Sequence, residues 1–279
     1  MLLNKGLKFV SPIILPLLFI FSWQLFSIRI ENPIVIPSVD NVVKILMQPN
    51  ESLLSIGSLV RNTWISILRV GIGYTVAAIV AIPLGMFIGY FKKVEKFLMP
   101  FLSLFRPIAP LAWVPLVLAW FGVASLATLF NIQGGELYIL FNNIKLSMIF
   151  IIFIGAFFPI LTNSIYGVKS VRNTLIDSAL TLGAKKIDIL IKVLLPASLP
   201  SIVTGLRVGL GVAWMCLVSA EMLPGSLAGI GYLITHAYTL ARTDIVIAGM
   251  ISISLVGGIF DNLFHIIEVK FFSWQRLEK

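Results

Sequence analysis

The stretch IKLSMIFIIFIGAFFPILTNSIYGV, residues 144–168, decides the fold. Lys145 is its only charged residue, and the stretch exceeds the roughly 20 apolar residues that a helix needs to cross a bilayer. The rest of the chain has the same character. Of its 279 residues 58% are hydrophobic and only 12% are charged, whereas soluble domains carry about 25% charged residues. Lipid is therefore the solvent for most of the chain.

Five further stretches meet the same criterion, which predicts an all-α polytopic membrane protein with about six transmembrane helices in a single domain, residues 1–279. Such a composition excludes an ordinary soluble enzyme and a disordered chain, and the lone Cys216 excludes an intrachain disulfide. The predicted spans are Val10–Ile28, Thr63–Tyr90, Phe97–Phe121, Ile144–Val168, Leu199–Met222 and Ile245–Ile267.

The distribution of basic residues predicts the orientation. With the N-terminus inside, 14 of the 21 Lys and Arg fall in cytoplasmic segments, Arg106 among them, and 5 fall outside. An excess of Lys and Arg marks the cytoplasmic side, so both termini are predicted to be cytoplasmic. The net charge is +9, but the basic residues are spread along the chain and form no basic arm, and no aromatic platform accompanies them. The charge therefore does not indicate nucleic-acid binding.

The predicted cytoplasmic segment 169–198 is too polar to span a membrane. A helix capped by Asn173 or Thr174 is expected to run to Leu182, followed by a break at Gly183 and a second helix from Ala184 to Leu195. Both helices carry apolar residues at helical spacing. Such a face fits a groove on a soluble partner or lies on lipid as an interfacial hairpin, and the periodicity leaves both open. The residues are Leu175, Ala179 and Leu182 in the first helix, and Ile187, Leu190, Ile191 and Leu194 in the second.

The spacing of this segment resembles the EAA loop of ABC-importer permeases, E-A-A-x3-G-x9-I-x-L-P. The matching residues are Asp177-Ser178-Ala179, Gly183, Val193 and Leu195-Pro196, with conservative departures at Asp177, Ser178 and Val193. Residues 106–116, beginning Arg106-Pro107, look like the third-span signature of the same family, and Gly205-Leu206-Arg207 like its fifth-span signature. The chain is similar to nitrate, sulfonate, taurine and bicarbonate permeases, in detail to cyanobacterial nitrate and bicarbonate subunits.

The resemblance implies a type I ABC importer permease fold with cytoplasmic coupling helices, in the bacterial inner (plasma) membrane. It also implies three protein partners: a second permease copy, cytoplasmic ATP-binding subunits and a periplasmic or lipid-anchored substrate-binding protein. The sequence has no G-x4-G-K-[ST] phosphate loop. The chain is therefore expected to bind no cofactor and to be no enzyme itself, with ATP and Mg on the partner ATPase. The implied coupling residues are Asp177, Ser178, Ala179, Leu182, Gly183, Ala184 and Lys185.

The substrate that this resemblance implies is a small inorganic anion, nitrate or nitrite. Bicarbonate and an alkyl sulfonate are the alternatives within the same class. An autonomous secondary transporter or channel is a different class, which would need no ATPase and often shows an internal inverted repeat. A membrane-bound enzyme would need catalytic groups gathered at one depth, and no catalytic constellation is predicted.

Apart from Arg106 and Lys145, which are counted with the cytoplasmic and outer segments, four charged residues fall within the predicted spans, where ionisable groups need a partner or a function. Counted from the span ends at 1.5 Å per residue, Arg69 matches Glu221 in depth, and Arg207 roughly matches Asp261. The sequence therefore predicts two ion pairs. The alternative is that one arginine, the deeper Arg207 first, faces an anion pathway, in which case Glu221 should be neutralised or point away from it.

A short helix, two glycine pairs and several single residues also carry predictions. Ser38 is expected to cap a short amphipathic helix to Met47, lying at the membrane interface. The pairs Gly85/Gly89 and Gly205/Gly209 predict close helix packing. Packing roles are predicted for Trp113, Trp214, Met215 and Cys216. No metal site is predicted, because His236 and His265 are too far apart in the sequence.

Overall fold

The computed structural model describes residues 3–223 and 225–271, and side chains from Ile14 onward. Within these ranges the regular structure is helical and contains no β-strand. The helices are α1 Leu3–Ile30, α2 Val39–Met47, α3 Leu59–Tyr90, α4 Lys92–Phe105, a 3₁₀ turn Pro110–Trp113, α5 Val114–Phe121, α6 Leu126–Leu129, α7 Gly135–Asn142, α8 Leu146–Lys169, α9 Asn173–Thr181, α10 Lys186–Asp188, a π-helical turn Ile189–Leu194, α11 Leu195–Glu221, α12 Ile230–Thr239 and α13 Thr243–Phe271.

The centre of the bundle is α8, with α3 packed on one side and α11 on the other. Glycines allow both close approaches. A Cβ at Gly85 or Gly89 would collide with Ser164 or Val168 of α8, and one at Gly205 or Gly209 would collide with α8 at Asn163 or Ile160. Both predicted glycine pairs thus lie at helix–helix contacts. We call the end of the bundle that carries α9 the inner end and the opposite end the outer end.

Among the described residues, four helices are long and apolar enough to cross a membrane: α3, α8, the helix from Lys186 to Glu221, and α13. The bent pair formed by α4 and residues 110–121 makes a fifth. The first predicted span corresponds to α1, whose described side chains form the apolar stretch Ile14–Ile30. The chain is thus an all-α polytopic membrane protein.

The third predicted span is not one continuous helix, so that prediction was wrong in detail. Its two halves meet at 83°. Pro107 and Pro110 lack a backbone N–H, and a residue before proline avoids the helical region. Ala109 accordingly has an extended ψ of 135°. Glu95 of α4 contacts Lys169 at the inner end of α8, whereas Val123 contacts Lys145 at its outer end, so this broken segment runs the full length of α8.

The predicted amphipathic helix is α2, and its cap is Ser38, whose hydroxyl accepts a hydrogen bond from the Asn41 N–H. Its apolar face is covered by protein rather than lying only at a membrane interface. Val42 is buried, and Ile45 and Leu46 pack against a cluster that includes Leu233 of α12 and Ile245 of α13.

Candidate functional site

The first candidate site is the coupling segment, which we define as residues 172–191. Its helix α9 ends in a Schellman turn. The Gly183 N–H donates to the Leu180 carbonyl at 2.9 Å, and the Ala184 N–H donates to the Ala179 carbonyl at 3.0 Å. Gly183 has a φ of +81°, a conformation that other L-residues rarely adopt. The predicted break at Gly183 is confirmed. The predicted cap is not, because Arg172 occupies the cap position and forms no side-chain cap bond.

The second predicted helix of this segment is not a separate element. Helix α10 passes through the π turn Ile189–Leu194 directly into α11, so one helix runs from Lys186 to Glu221. The Leu195 N–H bonds to the Leu190 carbonyl, five residues back. Pro196 has no N–H for the Lys192 carbonyl and its ring crowds that oxygen, which accounts for the wider turn here. The coupling segment is therefore mechanically continuous with a membrane span.

The apolar residues of the coupling segment divide between the bundle and solvent. Ile176 and Ala179 of α9 pack with Ile189, Leu190 and Leu194 onto Met86 of α3 and Val168 of α8. The predicted outward faces were therefore correct only in part. Leu175 and Leu182 are exposed, but Ala179 packs on the bundle and the second face is split between exposed and buried residues. The exposed apolar residues of the segment are Leu175, Leu180, Leu182, Ile187 and Ile191, with Leu182 88% exposed.

The structure gathers the seven predicted coupling residues around the turn. Ala179 and Ala184 are half-buried against the bundle. The other five are exposed: Asp177, Ser178, Leu182, Gly183 and Lys185. A Cβ at Gly183 would meet nothing within 4 Å, so this surface is open to a partner.

The structure brings Arg69 and Glu221 together at the outer end, where both side chains are buried. Arg69 Nη1 lies 2.5 Å from Glu221 Oε1. Ser66 donates its hydroxyl to Glu221 at 2.8 Å, and the Gly231 N–H donates to Oε2 at 3.0 Å. Arg69 also donates to the carbonyls of Asn143 and Ala228. We call this set the outer network.

The outer network fastens the loop before α12 to α3 and α11. Asn62 Oδ1 accepts from the Gly229 N–H at 2.9 Å, and the Ser66 hydroxyl accepts from the Ile230 N–H at 3.0 Å. Glu221 is fully enclosed and its charge is matched by that of Arg69, so the network positions a loop and presents no charge to solvent.

Arg207 and Asp261 are also adjacent, with Arg207 Nε 2.7 Å from Asp261 Oδ1. A carboxylate that sequence reasoning missed, Glu268, lies 2.9 Å from Arg207 Nη1. Its place seven residues, or two helical turns, after Asp261 on the same helix face was the available signal. Two carboxylates outweigh one guanidinium, so this cluster is unsuited to attracting an anion, contrary to the suggestion that Arg207 would be the first to do so. Asp261 is 62% exposed.

Arg106, which the sequence assigned to the cytoplasmic side, is exposed in the structure. It follows the last residue of α4, at the break in the third span, and lines a cavity of about 410 Å³ between α8 and α11. Its position nine residues inside the predicted span Phe97–Phe121 was the signal that could have identified it. This cavity is the second candidate site.

Other predicted features have simpler surroundings. Trp214 is buried and donates to the Ile253 carbonyl, and Cys216 is buried against Val114 and Ile151. Trp113 packs near Phe105 and Phe150. Met215 is 70% exposed, so its predicted packing role within the chain was wrong. In the described part of the chain, no group of three or more His, Cys, Asp or Glu could hold a metal ion.

The sequence of the chain is similar to those of known transport proteins. Residues 81–272 match the family described as the inner membrane component of binding-protein-dependent transport systems. A protein of Methanocaldococcus jannaschii named as an ABC transporter permease is 52% identical over 98% of this chain and 94% of its own length. A Bacillus subtilis protein named as an aliphatic sulfonates transport permease is 33% identical over 98% and 90%, respectively. The nitrate import permease protein of Leptolyngbya laminosa is 35% identical over 71% and 63%. Further relatives are named for taurine and bicarbonate transport.

Proposed function

The chain belongs to the family of inner membrane components of binding-protein-dependent transport systems, and on that premise we propose that it is the permease subunit of an ATP-driven importer for a small oxyanion. ABC permease subunits form part of a transporter with ATP-binding and substrate-binding proteins.

The observation that carries the proposal is the coupling segment. It presents Leu182, 88% exposed, beside a glycine turn whose Cβ position is open. Apolar side chains held on a short helix suit a groove on a soluble protein, where burying them excludes water. The ATP-binding subunit is the proposed occupant, with Asp177, Ser178 and Lys185 at the edge of the contact.

The packing behind this surface supports a mechanical role. Displacing α9 would act on Met86 at the inner end of α3 and Val168 at the inner end of α8 through the cluster they share. It would act on α11 through the helix that starts at Lys186. Closure of two ATP-binding subunits could thus rock three spans together and expose a site alternately to the two sides of the membrane.

A second permease copy is the proposed cover for the inner half of α13. Asp261 is 62% exposed although it lies in a span. A carboxylate in a span faces a bundle interior or a water-filled cavity rather than lipid. We infer that this face meets a second copy or the translocation pathway between the two copies, with both termini cytoplasmic.

The substrate proposal remains nitrate or nitrite, with bicarbonate and an alkyl sulfonate as alternatives. The relatives named for nitrate, sulfonate and bicarbonate transport support an anion with several equivalent oxygens. Their identities to this chain, 35%, 33% and 32%, do not single out one of them. The specificity is proposed to lie largely in the substrate-binding protein.

An uptake experiment tests the anion assignment. A strain lacking only this gene is supplied with labelled nitrate, bicarbonate and ethanesulfonate in turn, and compared with the same strain carrying the gene. We expect loss of uptake for nitrate, restored by the gene. Loss confined to another oxyanion would replace nitrate with that substrate, and unchanged uptake of all three would contradict the proposal.

A further inference from the structure

The cavity at the break of the third span has the composition of an anion site. Its volume of about 410 Å³ falls in the range of ligand pockets. Arg106 lies at one wall, Thr162 and Asn163 of α8 supply polar groups, and the remaining wall is largely apolar, including Phe158 and Val212. We propose that Arg106 binds the transported oxyanion in this cavity, an inference that rests on the proposed importer function.

Arg106 is exposed in this chain, and two residue counts place it near the middle of the length of the bundle. Glu95 of α4 and Lys169 at the end of α8 form an ion pair and mark one level at the inner end. Arg106 comes eleven residues after Glu95, and Phe158, which lines the same cavity, comes eleven residues before Lys169. At 1.5 Å per residue both counts give about 16 Å, roughly half the thickness of a bilayer core.

The charge of Arg106 is not compensated by the residues around it. Each of the other two deep arginines has a carboxylate within 3 Å, Arg69 at Glu221 and Arg207 at Asp261. Within residues 14–223 and 225–271, no salt bridge involves Arg106, and no acidic residue lines its cavity. A guanidinium at this depth needs a negative partner or water. The cavity provides room for both.

The donors in the cavity suit an oxyanion. A guanidinium presents a planar fork of N–H groups that matches two oxygens of one anion. Asn163 uses one amide N–H on the Pro159 carbonyl at 2.8 Å and retains a second. Apolar neighbours such as Ile154 and Val212 form much of the remaining wall. Nitrate, bicarbonate and sulfonate all present this pattern of oxygens.

The position of Arg106 also connects binding to motion. It lies where α4 ends, and the two halves of the span meet there at 83°. Broken helices at mid-membrane commonly form transporter binding sites, because irregular backbone is tolerated where it lines a cavity. A change in the angle of α4 would move Arg106 relative to Thr162 of α8 and so open or close the site.

Uptake by the reconstituted complex, with its ATP-binding and substrate-binding subunits, tests this role. Because the substrate-binding protein captures the anion, Arg106→Gln should lower the maximal rate of uptake of labelled nitrate or ethanesulfonate roughly ten- to hundred-fold, and Arg106→Lys should retain part of that rate. Lys93→Gln, which removes the same charge from an exposed position on α4, should behave as wild type. Unchanged uptake by Arg106→Gln overturns the inference. Failure of the wild-type complex to import any oxyanion would instead contradict the proposed function.

A labelling measurement tests the inference without transport. Thr162→Cys places a thiol in the cavity, and the single native cysteine, Cys216, is buried. We expect an anionic methanethiosulfonate reagent to react faster than a cationic one, and adding Arg106→Gln to lower that ratio roughly tenfold. An unchanged ratio would show that Arg106 does not set the potential of the cavity and would overturn the inference.

Discussion

Arg69 illustrates at the residue scale what keeps a charge inside this bundle. Its guanidinium bonds to the Glu221 carboxylate and to the carbonyls of Asn143 and Ala228. Removing one partner of such a buried pair generally costs about 3–5 kcal/mol, because the other charge is left without compensation. The same bonds hold the loop that contains Gly229 close to Glu221. The position of this outer loop therefore depends on the ion pair between Arg69 and Glu221.

Two glycines of that loop provide a matched test of the outer network. Gly225 and Gly229 both have positive φ, +104° and +115°, but a Cβ at Gly225 would meet nothing whereas one at Gly229 would collide with the Glu221 carboxylate. Both alanine variants should lose about 1–3 kcal/mol from the backbone conformation. Gly229→Ala should lose about 1–3 kcal/mol more from the collision. Thermal denaturation of the purified protein in detergent compares them, and equal losses would contradict the described packing around Glu221.

At the scale of the element, the coupling segment and the broken span both depart from regular helices. Each departure has a local cause: Gly183 with its φ of +81° ends α9, and prolines interrupt the third span. Both irregularities lie next to a candidate site. The continuous helices α3, α8 and α11 form the rigid frame that connects them.

Substitutions at Gly183 separate the shape of the turn from contact with a partner. Alanine resists the left-handed conformation by about 1–2 kcal/mol, whereas asparagine adopts it more readily. We expect Gly183→Ala to reduce ATP-dependent uptake roughly tenfold and Gly183→Asn to reduce it less, measured at equal amounts of assembled complex. If asparagine is the more damaging change, contact at the Cβ position rather than the φ angle sets the requirement.

The spans and the two deep ion pairs were predictable from sequence for a simple physical reason. Apolar length and a constant helical rise fix depth, so Arg69 could be matched to Glu221 before any contact was known. The break after Arg106 was missed, because the apolar stretch continues on both sides of Pro107 and Pro110 and hides the change of direction. The inward choice of Ile176 over Leu175 depends on tertiary contacts, which periodicity alone does not specify.

At the scale of the whole molecule, the three deep arginines have three different environments. Arg69 is buried and paired, Arg207 is half-exposed beside two carboxylates, and Arg106 faces a cavity without an acidic residue. The exposed charges on α13 and the coupling segment on the inner end leave two surfaces that lipid alone would not satisfy. The proposed second copy and ATP-binding subunits would cover both surfaces.

The most direct measurement is uptake of labelled oxyanion into proteoliposomes that contain this permease. The ATP-binding subunits and ATP are on the inside of the vesicles, and the substrate-binding protein is on the outside. The account predicts uptake that requires ATP hydrolysis and disappears when either partner is omitted. Uptake that persists without the ATP-binding subunits, driven by an ion gradient or by the anion's own gradient, would contradict it.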